Sequence, residues 1–326
     1  MDLNKLLSCL RRLLDDNTLI MSESLQSLWS GYGQIIRLFS ERYQCCYVVK
    51  VVAPPQVVDH PRGWHSDVGH ERKLKSYQVE SAFYQQVSPI LNEQCKVPKL
   101  LALHHFDEHM LLVLEDLDEL GFDVRIEHQQ GKALDLALRW LAQFHAQSWR
   151  IQSQDLWPTG SYWHLSTRQS EWQNMPESEL KQKAKAIDQR LASARFKTLI
   201  HGDAKFANFC FHHQQSDVAA VDFQYVGYGS PVKDIAYLAS GCLSGDQLFD
   251  MGQEVLMRYL SYLAAAFEQY QIPLDFTEVS QELNYLYPFA WADFYRFLVG
   301  WNSQSAKISE FMKQQTQLCL LELAKC

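Results

Sequence analysis

LIHGDAKFANFCFHHQQSDVAAVDFQYVGYG, Leu199 to Gly229, is the stretch on which the reading of this chain turns. Its polar positions are His201-Gly202-Asp203, then Asn208 five residues after Asp203, then Asp222-Phe223, with Asp222 fourteen residues after Asn208. Between the two acidic positions come Phe209 and Phe211, a polar turn HHQQSD and the apolar run VAAV, a pattern that predicts a β-hairpin. Asn208 stands at the entrance of that hairpin and Asp222 at its exit. Such a hairpin brings the amide and the second carboxylate to one end, facing the loop that holds Asp203. Two carboxylates and an amide form a hard, oxygen-rich site of the kind that suits Mg²⁺.

The spaced H-G-D-x-x-x-x-N…D-F combination resembles the catalytic core of small-molecule kinases of the protein-kinase-like fold. That group comprises aminoglycoside phosphotransferases, choline and ethanolamine kinases, and the ecdysteroid-kinase-like proteins, the last being the closest in flavour. The resemblance implies that Asp203 is the catalytic carboxylate, Asn208 a metal ligand and Asp222 the principal metal ligand. Gln224 stands where protein kinases have the glycine of D-F-G, and little room is left for a long activation loop before Asp234. Both features point away from a protein substrate. Lys205 occupies a place where many protein kinases carry a lysine that neutralises the transferred phosphoryl group; a solvent-facing loop lysine is the competing reading. His201 is read as a structural neighbour of Asp203, and Asp234 as a support for the catalytic loop that also caps the following helix.

Upstream, SLWSGYGQIIRLFS turns at Gly31 and Gly33, and YQCCYVVKVVA forms a strand that carries Lys50. Gly31 and Gly33 resemble an abbreviated phosphate-covering loop, with Ile36 in the place of a third glycine. Lys50 then matches the lysine that pairs with the α- and β-phosphates. KLKSYQVESAFYQQVSPIL predicts a helix, in which Glu80, through its E-x-x-F-Y context, matches the glutamate that holds the strand lysine. Glu71, near the start of that helix, is the competing partner. Val97–Leu103 and His109–Leu114 complete a small sheet, and Glu115, Asp116 and Leu117 form the hinge, where Glu115 and Leu117 are assigned to the adenine through their main-chain groups. Pro54 to Gly69 reads as an exposed insertion; its His60, His65 and the nearby His70 lack an acidic partner pattern for zinc.

Helices are predicted at Leu3–Leu14, Gln129–Trp149 and Pro176–Ala194, and in two or more tail segments. The tail stretch Gln281–Trp301 is strongly aromatic and contains Asp293. Trp291, Asp293, Tyr295 and Trp301 either line a substrate wall able to receive a quaternary ammonium group or belong to the core; helical spacing favours the core.

At 326 residues the chain can bury a full core and divides into two lobes. A net charge of -8 gives no support to nucleic-acid binding. The eight cysteines are scattered, which reads as free thiols in a reducing compartment. With neither a signal-peptide pattern nor an apolar run long enough to span a bilayer, the expected location is cytoplasmic without stable membrane insertion. The expected fold is α+β and bilobal, with a small N-terminal lobe on an antiparallel sheet (1–115) and a larger, mainly helical C-terminal lobe (116–326). The resemblance implies transfer of the γ-phosphate of ATP, with Mg²⁺, to a hydroxyl of a small molecule. A choline- or ethanolamine-type kinase and an inactive nucleotide-binding pseudokinase are the alternatives.

Overall fold

A computed structural model describes residues 3–28, 31–54, 67–106, 109–126 and 131–325. His60 and His65, with most of the Pro54–Gly69 insertion, lie outside the described residues. The chain folds into two lobes, an N-terminal antiparallel sheet and a larger helical C-terminal lobe.

The N-terminal elements are α1 (Leu3–Leu13), β1 (Leu19–Ser27), β2 (Gly33–Ser40), β3 (Cys45–Val52), α2 (Asp67–Ala82), β4 (Leu100–Phe106) and β5 (His109–Glu115), the strands lying in the order β1-β2-β3-β5-β4. Strand side chains alternate between faces. Val49, Val51, Leu111 and Val113 turn one way and bury against Leu6 and Leu10 of α1. Leu112 and Leu114 turn the other way, toward Val79 and Phe83. Lys50, paired in register with Leu112, therefore faces α2 and the interior. Strand β1 was not expected from the sequence: it is an edge strand, and only Leu19 along it is buried. The helix expected over the KLKSYQVESAFYQQVSPIL stretch ends as an α-helix at Ala82 and continues as a π-helical turn over Phe83–Val87. Such turns present side chains outside the ordinary helical register.

The C-terminal lobe contains α3 (Lys132–Ser148), α4 (Gln169–Gln173), α5 (Glu179–Ala192), β6 (Thr198–Ile200), β7 (Phe209–Phe211), β8 (Val218–Ala220), β9 (Gly227–Gly229), α6 (Val232–Cys242), α7 (Gly245–Gln269), α8 (Phe276–Asn302) and α9 (Glu310–Leu323). The β7–β8 hairpin pairs Phe209 with Ala220 and Phe211 with Val218, as the sequence pattern predicts. The lobes are joined through aromatic packing. Phe223 stacks on Phe83 with centroids 3.6 Å apart, and Tyr84 meets the same ring edge-on at 5.8 Å. No described helix is long and apolar enough to cross a membrane, and the seven described cysteines are all free thiols.

Helix α8 resolves the question of the tail aromatics residue by residue. Trp291 and Asp293 are fully buried. Asp293 accepts from Arg296 at 2.7 Å and from Trp163 Nε1 at 3.1 Å, and pairs with Lys233 at 3.1 Å. Its charge is thus spent inside the core, and it offers nothing to a ligand. Tyr295 is half-buried, while Trp301, with Phe294, Phe297 and Leu298, lines the interlobe cleft. Burial alone would raise the Asp293 pKa, but Lys233 and Arg296 outweigh it and pull the value down to about 2. Its contribution to stability is therefore complete above the ordinary value of 3.8 and is lost as pH falls from there through about 2. Asp293→Ala should destabilise the protein by about 3–5 kcal/mol, because Lys233 and Arg296 stay buried without their partner. Urea unfolding at neutral pH measures this, and an unchanged midpoint would remove the ion cluster from the core's account.

Candidate functional site

The lobes enclose a cleft of about 1880 Å³, room for a nucleotide and a second molecule. On its N-terminal side Lys50 Nζ lies 2.6 Å from Glu80 Oε2 and 3.7 Å from Asp222 Oδ1. Lys50 and Glu80 are only 5% and 2% exposed, so each needs the other to remain charged. Burial works against the Lys50 charge, but the Glu80 and Asp222 carboxylates more than offset it and hold the pKa above the ordinary lysine value. Glu71 is exposed; the competing pairing is not the one adopted.

The catalytic-type loop is built on backbone geometry. Gly202 has φ +77°, and a Cβ there would stand 2.2 Å from the Tyr225 carbonyl oxygen, so glycine is required. Asp234 accepts the amides of His201 at 2.6 Å and Gly202 at 2.9 Å. This is the support expected of it, but the capping role is not: the cap position is Pro231, and the helix has no side-chain cap. His145, 3.2 Å from Asp234 and 2.8 Å from the Tyr259 hydroxyl, is a buried structural group. His201 accepts from the Asp203 amide at 3.3 Å through Nδ1, while Nε2 lies 3.1 Å from the Val221 carbonyl. It thereby tethers the loop to the strand that leads into Asp222.

Asp203, Asn208 and Asp222 meet at the floor of the cleft. Asn208 Nδ2 donates to the Asp203 carbonyl at 2.9 Å and to Asp203 Oδ2 at 3.0 Å, which leaves the Asn208 side-chain oxygen available. Asp222 adopts the left-handed region, φ +67°, a conformation held by the hairpin on one side and by the stacked Phe223 on the other. Its Oδ1 is buried with no hydrogen-bond partner. Burial would raise the Asp222 pKa, but Lys50, Lys205 and Lys73 hold it below the usual carboxylate range. An ionised carboxylate with an unsatisfied buried oxygen beside a free amide oxygen fits a hard cation. Among the described residues no cluster of three His, Cys, Asp or Glu side chains forms a self-sufficient metal cage. An ion held here would thus complete its shell with water or phosphate oxygens. Lys205 lies 3.0 Å from Asp203 Oδ2 and is partly open to the cleft.

The remaining expected positions are also placed. Gly33, φ +131°, is pressed on β3, where a Cβ would stand 1.9 Å from the Val51 carbonyl oxygen. Gly31 closes the same turn through its amide to the Leu28 carbonyl. The cleft at this turn is lined by Leu28, Tyr32 and Ile35. At the hinge the Glu115 amide bonds the Lys99 carbonyl, and the Leu117 carbonyl accepts from Leu120 and Phe122. Asp116 and Asp118 bind Arg37.

Several site residues had no signal in the sequence. Lys73 reaches Gln224 Oε1 at 3.0 Å, which explains a glutamine at that position. Burial, and repulsion from Lys50, depress the Lys73 pKa to about 8. Arg72, Arg168, Tyr237 and Lys307 also line the cleft, from segments far apart in the chain.

Solved structures share this architecture. A microcompartment-associated aminopropanol kinase matches with a TM-score of 0.52 at 14% identity, over 98% of this chain and 95% of the other. The GDP complex of wild-type aminoglycoside 2′-phosphotransferase-IIIa matches at 0.51 and 14%, over 99% and 98%. A Plasmodium vivax ethanolamine kinase matches at 0.51 and 12%, over 93% and 82%. At these identities the likeness is one of fold. No curated protein sequence matches the chain. Residues 42–271, however, match the model of the phosphotransferase enzyme family APH, and with most of its length so covered this chain belongs to that family.

Proposed function

We propose that the protein is a Mg²⁺- and ATP-dependent small-molecule kinase that transfers the γ-phosphate to an alcohol. The observation that carries this reading is the convergence of Asp203, Asn208 and Asp222 opposite the Lys50–Glu80 pair, with Asp222 Oδ1 buried, 3.7 Å from Lys50 and without a hydrogen-bond partner. Family membership supports the reaction class. In this assignment Asn208 and Asp222 hold the metal, Lys50 takes the α- and β-phosphates and Glu80 keeps Lys50 in place. The turn at Gly31 and Gly33 covers the phosphates. The main-chain groups of Glu115 and Leu117 receive the base.

Bound Mg²⁺ supplies neutralisation of the phosphate oxygens. The acceptor oxygen forms its bond to the γ-phosphorus as the bond from that phosphorus to the β,γ-bridging oxygen breaks, and ADP leaves. Asp203 orients the hydroxyl and receives its proton late in the transfer. Lys205, held on Asp203, offsets charge on the phosphoryl oxygens. Alignment and charge stabilisation dominate this reaction, so proton transfer to Asp203 need not drive it.

Asp203→Asn preserves size but removes the proton acceptor. It should lower kcat by ~10²–10⁴-fold, toward the lower end, with Mg-ATP affinity nearly unchanged; single-turnover transfer and nucleotide titration on one preparation check both. Transfer at the parental rate would displace Asp203 from its role. Asp222→Ala should abolish the Mg²⁺ dependence of nucleotide affinity, and a dependence that survives intact argues for other ligands.

Lys73 adds a pH prediction. With its pKa depressed to about 8, the ammonium is about half neutral at that pH, and neighbouring phosphate would raise the pKa again. Nucleotide binding at pH 8 should therefore take up protons, and affinity should weaken as pH rises from 7 to 9. Lys73→Gln should flatten both effects. Calorimetry in buffers of different ionisation enthalpy reads the uptake, and identical heats in all buffers would count against it.

A further inference from the structure

The acceptor half of the cleft carries a charge pattern that the reaction class does not require. Beyond Asp203 its wall is cationic and aromatic. Lys307 sits over the Tyr237 ring at 4.8 Å and the Phe294 ring at 6.0 Å, and its ammonium makes no hydrogen bond or ion pair among the described residues. Arg72 bonds the Thr167 carbonyl at 2.7 Å and likewise has no carboxylate partner among them. Arg168 packs over Tyr162 and Phe297 at 4.5 and 5.4 Å, with Glu171, its one carboxylate partner among the described residues, at 3.1 Å.

The carboxylates of the cleft are already engaged. Asp203 pairs with Lys205, and Glu80 and Asp222 face Lys50. Toward the hinge, Arg37 holds Glu23 at 2.8 Å and Asp116 at 2.6 Å and also binds Asp118; Lys96 holds Glu115 at 3.3 Å, and Asp123 faces His213 at 3.7 Å. Asp293, the carboxylate that could have met an ammonium group on α8, is locked in the core. Burial lowers the Lys307 pKa, with Lys205 adding to the effect and Asp203 opposing it; burial and Arg168 lower that of Arg72, with Glu171 opposing. Neither cation forms an ion pair with a carboxylate among the described residues. An ammonium-bearing acceptor would add like charge beside them, whereas an anion would offset their buried charge.

We infer that the acceptor is an alcohol with a flat apolar body and a negatively charged group, a carboxylate or a phosphate, seated on Lys307 and Arg72 beside the half-buried Trp301 ring. The inference rests on the phosphotransferase reading above, and it sets the chain apart from kinases of amino alcohols.

The test uses the full chain with Mg-ATP and three matched probes: 4-(hydroxymethyl)benzoate, 4-(hydroxymethyl)benzamide and 4-(aminomethyl)benzyl alcohol. Calorimetry with Mg-ATP alone comes first, because absent nucleotide binding is a failure of the kinase reading itself. Each probe is then titrated into the Mg-ADP-loaded protein by saturation-transfer NMR, and its phosphorylation is followed by product mass. The carboxylate should bind and turn over about 10- to 100-fold better than the amine, the scale of one charge-assisted contact. Lys307→Gln should shrink that ratio to near unity with nucleotide affinity unchanged. Lys307→Glu should shift preference toward the amine. If, with nucleotide binding intact, the carboxylate shows no advantage over the amine or the amide in either readout, or Lys307→Gln leaves its advantage whole, the inference is wrong.

Discussion

The pairing of Lys50 with Glu80 inside the N-terminal lobe is the constraint from which the rest of the site follows. Removing two charges from water is costly, and attraction at 2.6 Å compensates only if both side chains are held in place. β3 holds one, through ladders to β2 and β5, and α2 holds the other. The position of α2 in turn depends on the stack of Phe83 on Phe223, one residue after Asp222. A charge pair in one lobe and a carboxylate in the other are thereby linked through the rings of Phe83 and Tyr84 on Phe223 and the Lys73–Gln224 bond.

In the C-terminal lobe the same economy applies to backbone polarity. Asp234, fully buried, satisfies two loop amides that would otherwise be stranded, and Gly202 supplies the turn that lets both point at it. The loop amides are thereby held by the protein itself, the kind of preorganisation that electrostatic stabilisation of a transferring group requires. Three lysines then surround Asp222, on β3, on α2 and on the loop after Asp203. Burial and repulsion from Lys50 depress the pKa of Lys73 to about 8, and the floor of the cleft gathers three lysines around one carboxylate.

Helix α8 closes the lobe and borders the cleft. Trp291, the Asp293 cluster, Phe294, Phe297 and Leu298 are buried in the core, and Trp301 stands half-buried at the cleft. On the proposed reading, the last two turns of this helix and the segment up to Lys307 are where acceptor choice would be encoded.

The sequence by itself determined the hairpin and its three oxygen-bearing residues, the strand with Lys50 and the helix with Glu80. These rest on local alternation, turn chemistry and fixed spacing, which short stretches of chain specify unaided. It also pointed to the lobed α+β class, since strands precede helices along the chain. It did not disclose β1, because an exposed edge strand with polar residues such as Ser22, Glu23 and Ser24 has no buried face to imprint alternation. Nor did it separate Asp293 from the cleft: helical spacing fixes which residues share a face, not which neighbour covers that face. Lys73 on Gln224, and Arg72 and Lys307 without a carboxylate partner among the described residues, were decided by tertiary structure alone. Each depends on segments up to 151 residues apart coming within reach, and a charge acquires its meaning only when its surroundings have been closed around it.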